Sequence, residues 1–419
     1  MTSTIPNAPS DTSETRRLQP WHIVLLTGSL ILMVTNGIRS GFALLVDPLK
    51  DTEVGPGLTG SQIALGLALQ QLMWGLGQPF AGALADRFGS GRVLAAGGAL
   101  YVAGLVAMSN ATSAVGWQLS SGLMVGLGLS GASMSVVLAA VGRAAPPEHR
   151  SLAMGLTTAS MSLGQFIMVP LTRVLIDRQN WDGALVILAV VASVVIVAAV
   201  GVRGRATASD GSLHADQTLR QAIAQALHHR SYVLLTTGFF VCGFHVSFIG
   251  VYLPSHIKDI GLSDSTGSWA LGLIGLFNIG GAIIAGIMGS KGNKAFLLTY
   301  IYVARAVIIT VFILLPVSTA TTLVFAAVMG LLWLSTVPLT SGLVAQMFGP
   351  QHVGSLFGLV FLTHQLGSFA GVFLGGWLHD RTGSYNSVWW TAAVLGLVAA
   401  VLHWPIGTAP IEANERAAK

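Results

Sequence analysis

From Trp21 to Trp404 the chain is a succession of apolar stretches separated by short polar breaks, and between Ala306 and His379 it carries no Asp, Glu, Lys or Arg. A helix that crosses a membrane needs about 20 predominantly apolar residues. Stretches of that length occur at 21–46, 61–84, 92–110, 114–142, 150–176, 182–202, 231–254, 267–289, 295–316, 321–345, 352–378 and 386–405. Twelve spans are therefore expected. Only 9% of the 419 residues are charged, against about 25% in soluble proteins. A soluble fold of this length would lack the charge to cover its surface. The expected fold class is an all-α membrane protein with twelve transmembrane helices in two six-helix bundles. The cuts within the charge-free stretch rest on turn residues at Pro316–Thr322 and Phe348–His352.

The first span is too long for a signal-peptide core and no small-residue cleavage site follows it, so it is expected to remain as a membrane helix. Orientation follows from the basic residues. Placing both termini on one side puts fourteen of the 21 Lys and Arg there and five on the other side, with Arg39 and Arg305 inside spans. Cytoplasmic loops are the ones enriched in such residues, so both termini are expected in the cytoplasm of a multi-pass protein of the cell membrane. The net charge of +5 does not indicate nucleic acid, because the bases sit at span ends, where headgroups lie, and not in a patch with aromatics. A single cysteine, Cys242, excludes a disulfide framework and a cysteine zinc site, and no metal or cofactor is expected.

The polar segment 203–230 divides the spans six and six. The expected units are a tail at 1–20, bundles at 21–202 and 231–405 flanking that loop, and a tail at 406–419. Gly89, His149, Gly155 and Gly164 recur as Gly292, His352, Gly358 and Gly367, each 203 residues later. A duplicated six-helix unit is the architecture of many secondary transporters, with the substrate site between the halves near the bilayer midplane.

Between spans 2 and 3 stand Gly82, Asp86, Arg87, Gly89 and Arg92. This run resembles the signature loop of the major facilitator superfamily, although the usual basic pair after the second glycine is here Ser90-Gly91. The resemblance implies that these residues hold an inner gate, with Asp86 and Arg87 forming ion pairs and helix-end contacts. Further runs are similar to the monocarboxylate porter and oxalate–formate antiporter branch. They include Gly37 to Phe42 with Asp47-Pro48, Phe277 to Gly281, Trp333 to Pro338 and Phe361 to Ser368. That branch carries a carboxylate-binding arginine in span 8, where this chain has Gly281. Arginine stands instead at Arg305 in span 9.

A charge inside a span costs about 3 kcal/mol on insertion scales and so marks a cavity or a partner. Arg39 is a candidate for binding an anionic substrate, because a guanidinium offers a fork that matches a carboxylate. Its rival role is an ion pair with Asp47. Arg305 is either an anion site or a structural arginine bonded to helix ends. His245 and His364 are candidates for proton coupling, since histidine titrates near neutral pH. Asn36, Gln71, Gln165, Tyr252, Asn278 and Gln365 complete the set of substrate-binding candidates; each could equally serve packing or hydrogen bonding between helices.

No Gly-x-Ser-x-Gly, phosphate-loop or His-Glu-x-x-His pattern is present, so neither an enzyme nor an ATP-driven pump is expected. The expected function is secondary active transport of a small organic anion, a monocarboxylate, by a monomer in the lipid bilayer working by alternating access, with the proton as coupling ion. Export of a hydrophobic or drug-like compound is the alternative; the scarcity of acidic residues in the spans weighs against a cationic-drug pump. A non-transporting sensor or scaffold would call for an appended domain, and the expected tails are short.

Overall fold

The computed structural model describes residues 20–146, 149–202, 219–348, 353–407 and 409. Among them the chain is helical throughout, with no strand. α1 (Pro20–Gly41) runs through a 3₁₀ turn (Phe42–Leu45) into the short α2 (Val46–Lys50). Then follow α3 (Gly60–Phe88), α4 (Ser90–Ser109), α5 (Ala114–Trp117), a π stretch (Gln118–Met124), α6 (Val125–Gly131) and α7 (Met134–Ala144). The long α8 (Arg150–Ala198) ends the first half. The second half comprises α9 (Leu219–His228), α10 (Arg230–Asp259), α11 (Asp264–Lys291), α12 (Lys294–Leu314), α13 (Thr319–Leu332), α14 (Thr336–Phe348), α15 (Val353–Thr382) and α16 (Asn386–His403).

Among the described residues ten segments are long and apolar enough to cross a membrane. One of them, Leu152–Val202, is 51 residues long, about twice what a crossing needs. It reverses at Asn180, whose φ of 59° and ψ of 179° are non-helical. Expected spans 5 and 6 are thus joined at a single residue, and asparagine is among the few non-glycine residues that enter positive φ readily. α3 is not among the ten. Its 29 residues suffice in length, and Gln62, Gln70, Gln71 and Gln78 lower its apolarity. These two features account for the difference between ten and the expected twelve.

Two spans that the sequence reads as single helices are broken. In 114–142 the helix widens over Gln118–Met124, which frees the Ser121 carbonyl to accept the Gln70 amide of α3 at 3.1 Å. It then breaks before α7, where Ser133 caps the Val136 N–H. In 321–345 the break lies between α13 and α14. The two breaks fall at corresponding places in the two halves. Segment 203–230, expected as a loop with a helical second half, contains α9.

α1 and α3–α8 pack together, as do α10–α16, and the halves meet along two antiparallel pairs, α3 with α15 and α8 with α11. Inside the first bundle α1 and α8 touch backbone to backbone. A Cβ on Gly164 would stand 2.0 Å from the Met33 carbonyl oxygen, so only glycine permits that approach. Hereafter the terminal face is the end where α1 starts and α16 finishes; the far face is opposite.

Candidate functional site

Arg39 lies in the last turn of α1, on the seam between the halves. The close α1–α8 contact brings Asn36 Nδ2 within 3.1 Å of the Met161 carbonyl, which fixes the Asn36 side chain. Asn36 Oδ1 in turn accepts from Arg39 Nη2 at 3.2 Å. The guanidinium stands over the Trp74 ring, 5.1 Å from its centre. Asp47, the expected rival partner, lies instead 3.9 Å from Lys258 of the other half. No carboxylate pairs with Arg39 among the described residues, and its Nε has no hydrogen-bond partner.

The cavity beside Arg39 encloses, with its open mouth, about 540 Å³. Its polar wall is Arg39, Ser40, Gln70, Gln71, Gln165 and Ser247; Phe42, Leu67, Leu271 and Trp333 are among its apolar lining. Arg39 is the one charged side chain among those lining residues. Spans 1, 2, 5, 7, 8 and 10 contribute, and both halves take part. Hydrogen bonds cross between the halves around it. Gln71 Nε2 donates to Ser247 Oγ at 2.9 Å, and Gln365 Nε2 donates to the Gln71 carbonyl at 2.9 Å. Gln165 Nε2 donates to the Leu271 carbonyl at 2.8 Å. Asn278 Nδ2 donates to Ser162 Oγ at 2.8 Å, while its Oδ1 accepts the Leu334 N–H at the α13–α14 break.

The far face is shut by charged contacts. Asp380, at the end of α15, accepts from the Gly60 N–H at 2.9 Å and from the Ser61 N–H at 2.6 Å, and the Ser61 hydroxyl also donates to it. Thr59 already caps the Gln62 N–H, so the carboxylate of one half completes the first turn of α3 in the other. The corresponding place in the repeat is built differently. Asp177, 203 residues before Asp380, pairs with Arg173, and Arg173 Nη1 reaches Asp264 at the start of α11 at 3.3 Å. There the α11 cap is filled by Ser263, so an arginine bridges two carboxylates.

The remaining candidates lie off the cavity wall. His364 Nδ1 donates to Gln365 Oε1 at 3.0 Å, one step behind the Gln365–Gln71 contact. His245 Nε2 donates to the Ala392 carbonyl at 2.7 Å, facing α16. The Tyr252 hydroxyl donates to the Val372 carbonyl at 2.8 Å, within the second bundle. Arg305 is fully buried at the α13–α14 break. Its Nε and Nη2 donate to the Leu332 carbonyl at 3.2 and 2.6 Å, Nη2 also to the Trp333 carbonyl, and Nη1 reaches Cys242 Sγ at 3.5 Å. A side chain at Gly281 has no room, because a Cβ there would stand 1.9 Å from the Leu331 carbonyl oxygen.

At the terminal face Gly89 ends α3 with φ of 93°, a conformation that suits glycine. Arg87 is exposed beside Phe88, 5.2 Å from its ring centre, and Arg92 is exposed. The Asp86 side chain lies outside the described residues. Sequence reasoning singled out neither Ser247, Asp380 nor Ser61. The signal for Asp380 was present, since it repeats Asp177 at the same offset as the glycines.

The sequence matches the family model described as Major Facilitator Superfamily over residues 24–371 and 238–419. Monocarboxylate transporter 13 of Bos taurus is 26% identical over 378 residues, covering 88% of this chain and 84% of the relative. Monocarboxylate transporter 1 of Mus musculus is 25% identical, covering 84% and 78%. YcxA, an uncharacterized MFS-type transporter of Bacillus subtilis (strain 168), is 23% identical, covering 87% and 90%. Among solved structures, the inward-open xylose transporter XylE from E. coli superposes with a TM-score of 0.72 at 14% identity, covering 92% of this chain and 96% of that one. The nucleoside transporter NupG superposes with a TM-score of 0.75 at 12% identity, covering 91% and 99%. Apolar spans, paired helix bundles, a cavity on their seam and a family match along the chain lead to one assignment: this is a multi-pass membrane transporter, not an enzyme, and it belongs to the major facilitator superfamily.

Proposed function

We propose that the protein carries small organic anions, monocarboxylates foremost, across the cell membrane by alternating access, with its termini in the cytoplasm and the proton as coupling ion. The observation that carries this reading is Arg39. A guanidinium out of bulk water normally acquires a carboxylate partner, and here it faces the cavity with a single hydrogen bond, to neutral Asn36. A carboxylate entering the cavity would supply the missing charge, and Trp74 and Asn36 hold the fork ready for it. The apolar side of the wall, with Phe42, Leu67 and Trp333, suits a short carbon chain. Relatives named for monocarboxylate transport support the same substrate class.

His364 is the group we assign to proton coupling. It reaches the cavity wall through Gln365 and the Gln71 backbone, whereas His245 faces away from it. In this reading the far face, where the Asp380 and Arg173 contacts lie, is the outer side and the terminal face is the cytoplasmic one.

The test is uptake of labelled lactate into proteoliposomes with and without an inward proton gradient. Uptake stimulated by the gradient, and reduced at least about tenfold in Arg39→Gln, is expected, the loss corresponding to one charge-assisted hydrogen bond of about 1.5–3 kcal/mol. Folded protein that takes up no carboxylate under either condition rules the proposal out.

A further inference from the structure

Three glutamine amides stand on the cavity wall, and all three are tied down in the same sense. Gln70 Nε2 donates to the Ser121 carbonyl at 3.1 Å, Gln165 Nε2 to the Leu271 carbonyl at 2.8 Å and Gln71 Nε2 to Ser247 Oγ at 2.9 Å. A carbonyl can only accept, so in Gln70 and Gln165 the nitrogen must face that contact and the oxygen must turn away from it. Among the described residues no protein donor reaches Oε1 of Gln70, Gln71 or Gln165, and Gln71 Oε1 is buried outright. The three side chains are 3%, 5% and 9% exposed, so each is at least nine-tenths buried. Gln365, one layer behind, differs, because its Oε1 already accepts from His364. Ser40 spends its proton on the Asn36 carbonyl at 2.9 Å, so its oxygen also remains as an acceptor.

The wall therefore presents one cation and a set of acceptors. The cation is Arg39, whose Nε is an unpartnered donor. A buried acceptor without a donor costs free energy until one arrives. A ligand that satisfies both carries a carboxylate for Arg39 and hydrogen-bond donors elsewhere. Keto acids fail the second condition, since a ketone oxygen would meet amide oxygens. Dicarboxylates fail as well, because a second carboxylate finds no second cation among the lining residues. Hydroxyls or an ammonium would both serve as donors, and charge separates the two. A hydroxy acid neutralises Arg39, whereas a zwitterion leaves the buried site with a net positive charge and no lining carboxylate to offset it. The acceptors stand on two walls, Gln70 and Gln71 on α3 and Gln165 on α8, so more than one hydroxyl is served.

We infer that the preferred substrates are polyhydroxylated monocarboxylates, acids of the glycerate type with hydroxyls on neighbouring carbons. Gln70, Gln71 and Gln165 set this preference by accepting from those hydroxyls while Arg39 binds the carboxylate. This rests on the small-anion reading of the cavity and narrows it. A site built to bond a hydroxyl rejects an analogue without one more strongly than an apolar pocket rejects a missing methylene, because its own polar groups are left unpaired.

The test measures dissociation constants of propionate, lactate, glycerate, pyruvate and alanine by titration calorimetry on full-length protein in lipid nanodiscs. Competition against labelled lactate uptake in proteoliposomes gives the transport readout. Affinity is expected to rise about two- to tenfold with each hydroxyl, from propionate through lactate to glycerate. Pyruvate should bind no better than propionate, and alanine more weakly than lactate. Gln165→Met and Gln70→Met each remove one acceptor and should shrink the glycerate-to-propionate ratio several-fold, whereas Arg39→Gln should weaken all the acids. A ratio cancels any general effect of a substitution, thermal unfolding checks the fold, and the series on the parent protein stands whatever the variants do. Equal affinity for propionate and glycerate, pyruvate or alanine binding as tightly as glycerate, or a ratio unchanged in both folded variants would each overturn the inference. Acids that bind through Arg39 without regard to their hydroxyls overturn it and leave the anion proposal standing; binding of no acid at all removes both.

Discussion

A guanidinium has five N–H donors, and a membrane span offers it few acceptors. Arg305 and Arg39 meet that need in opposite ways. Arg305 finds the carbonyls where α13 stops, and a cation at a helix C-terminus is favoured by the dipole as well as by the hydrogen bonds. Gly281 belongs to the same solution, since α11 and α13 touch there and leave no room for the arginine that the porter branch carries at that position. Arg305→Met is expected to destabilise the fold by about 1–3 kcal/mol through uncapped carbonyls. Arg305→Lys should recover only part, because an ammonium lacks the planar fork. Thermal unfolding of the detergent-solubilised variants measures both. Arg39 was legible as a candidate because any arginine in a span is conspicuous. Its setting was only partly legible: Asn36 stands one turn earlier on α1, whereas Met161 of α8, which holds Asn36, and Trp74 of α3 come close through tertiary packing that no local pattern encodes.

At the scale of the helix, apolarity and length locate the spans, and the four polar side chains of α3 explain why that one is least apolar. Breaks inside spans are harder to read. The π stretch Gln118–Met124 and the α13–α14 interruption contain ordinary membrane residues; each is stabilised from outside, by Gln70 in the first case and by Arg305 and Asn278 in the second. The reversal at Asn180 is legible by contrast: Asp177, Arg178, Gln179, Asn180 and Asp182 form a polar interval between two expected spans, although helix continues to either side of a single non-helical residue. The loop before α3 is held by a local device. Asp51 Oδ1 accepts from the Glu53 N–H at 2.7 Å and the Val54 N–H at 3.1 Å. Those two hydrogen bonds hold its carboxyl below the usual aspartate range. A folded value below the unfolded one means that the stabilisation is present above the ordinary aspartate range and fades as pH falls through the lowered value. Hydrogen exchange at the Glu53 and Val54 amides should therefore show protection at neutral pH that is lost in strong acid, and Asp51→Ala should remove it at every pH.

For the whole molecule, duplication organises both the contacts and the charges. Asp177 and Asp380 occupy the same place in the two halves, yet one works through an arginine bridge and the other caps a helix directly. Equivalent positions thus keep their task at the far face while changing the chemistry. The spread of Lys and Arg, fourteen against five, sets the expected orientation. A green fluorescent protein fused after Lys419 should fluoresce in intact cells, while a periplasm-dependent reporter such as alkaline phosphatase at the same point should stay inactive. The reverse pattern would invert the assignment of the terminal face.

The Arg305 contact has a further consequence for how the chain is made. Its acceptors, Leu332 and Trp333, lie 27 and 28 residues later in the sequence. As ribosomes deliver the chain in order, α12 reaches the translocon before α13. For that interval a cation sits in or near lipid without its carbonyls, at a cost of several kcal/mol. The newborn helix therefore has reason to linger at the protein channel until its partner emerges, and the two enter the bilayer as a hairpin. A released polypeptide ending just after Leu314 is expected to insert its last helix poorly, because Arg305 would lack the Leu332 and Trp333 carbonyls.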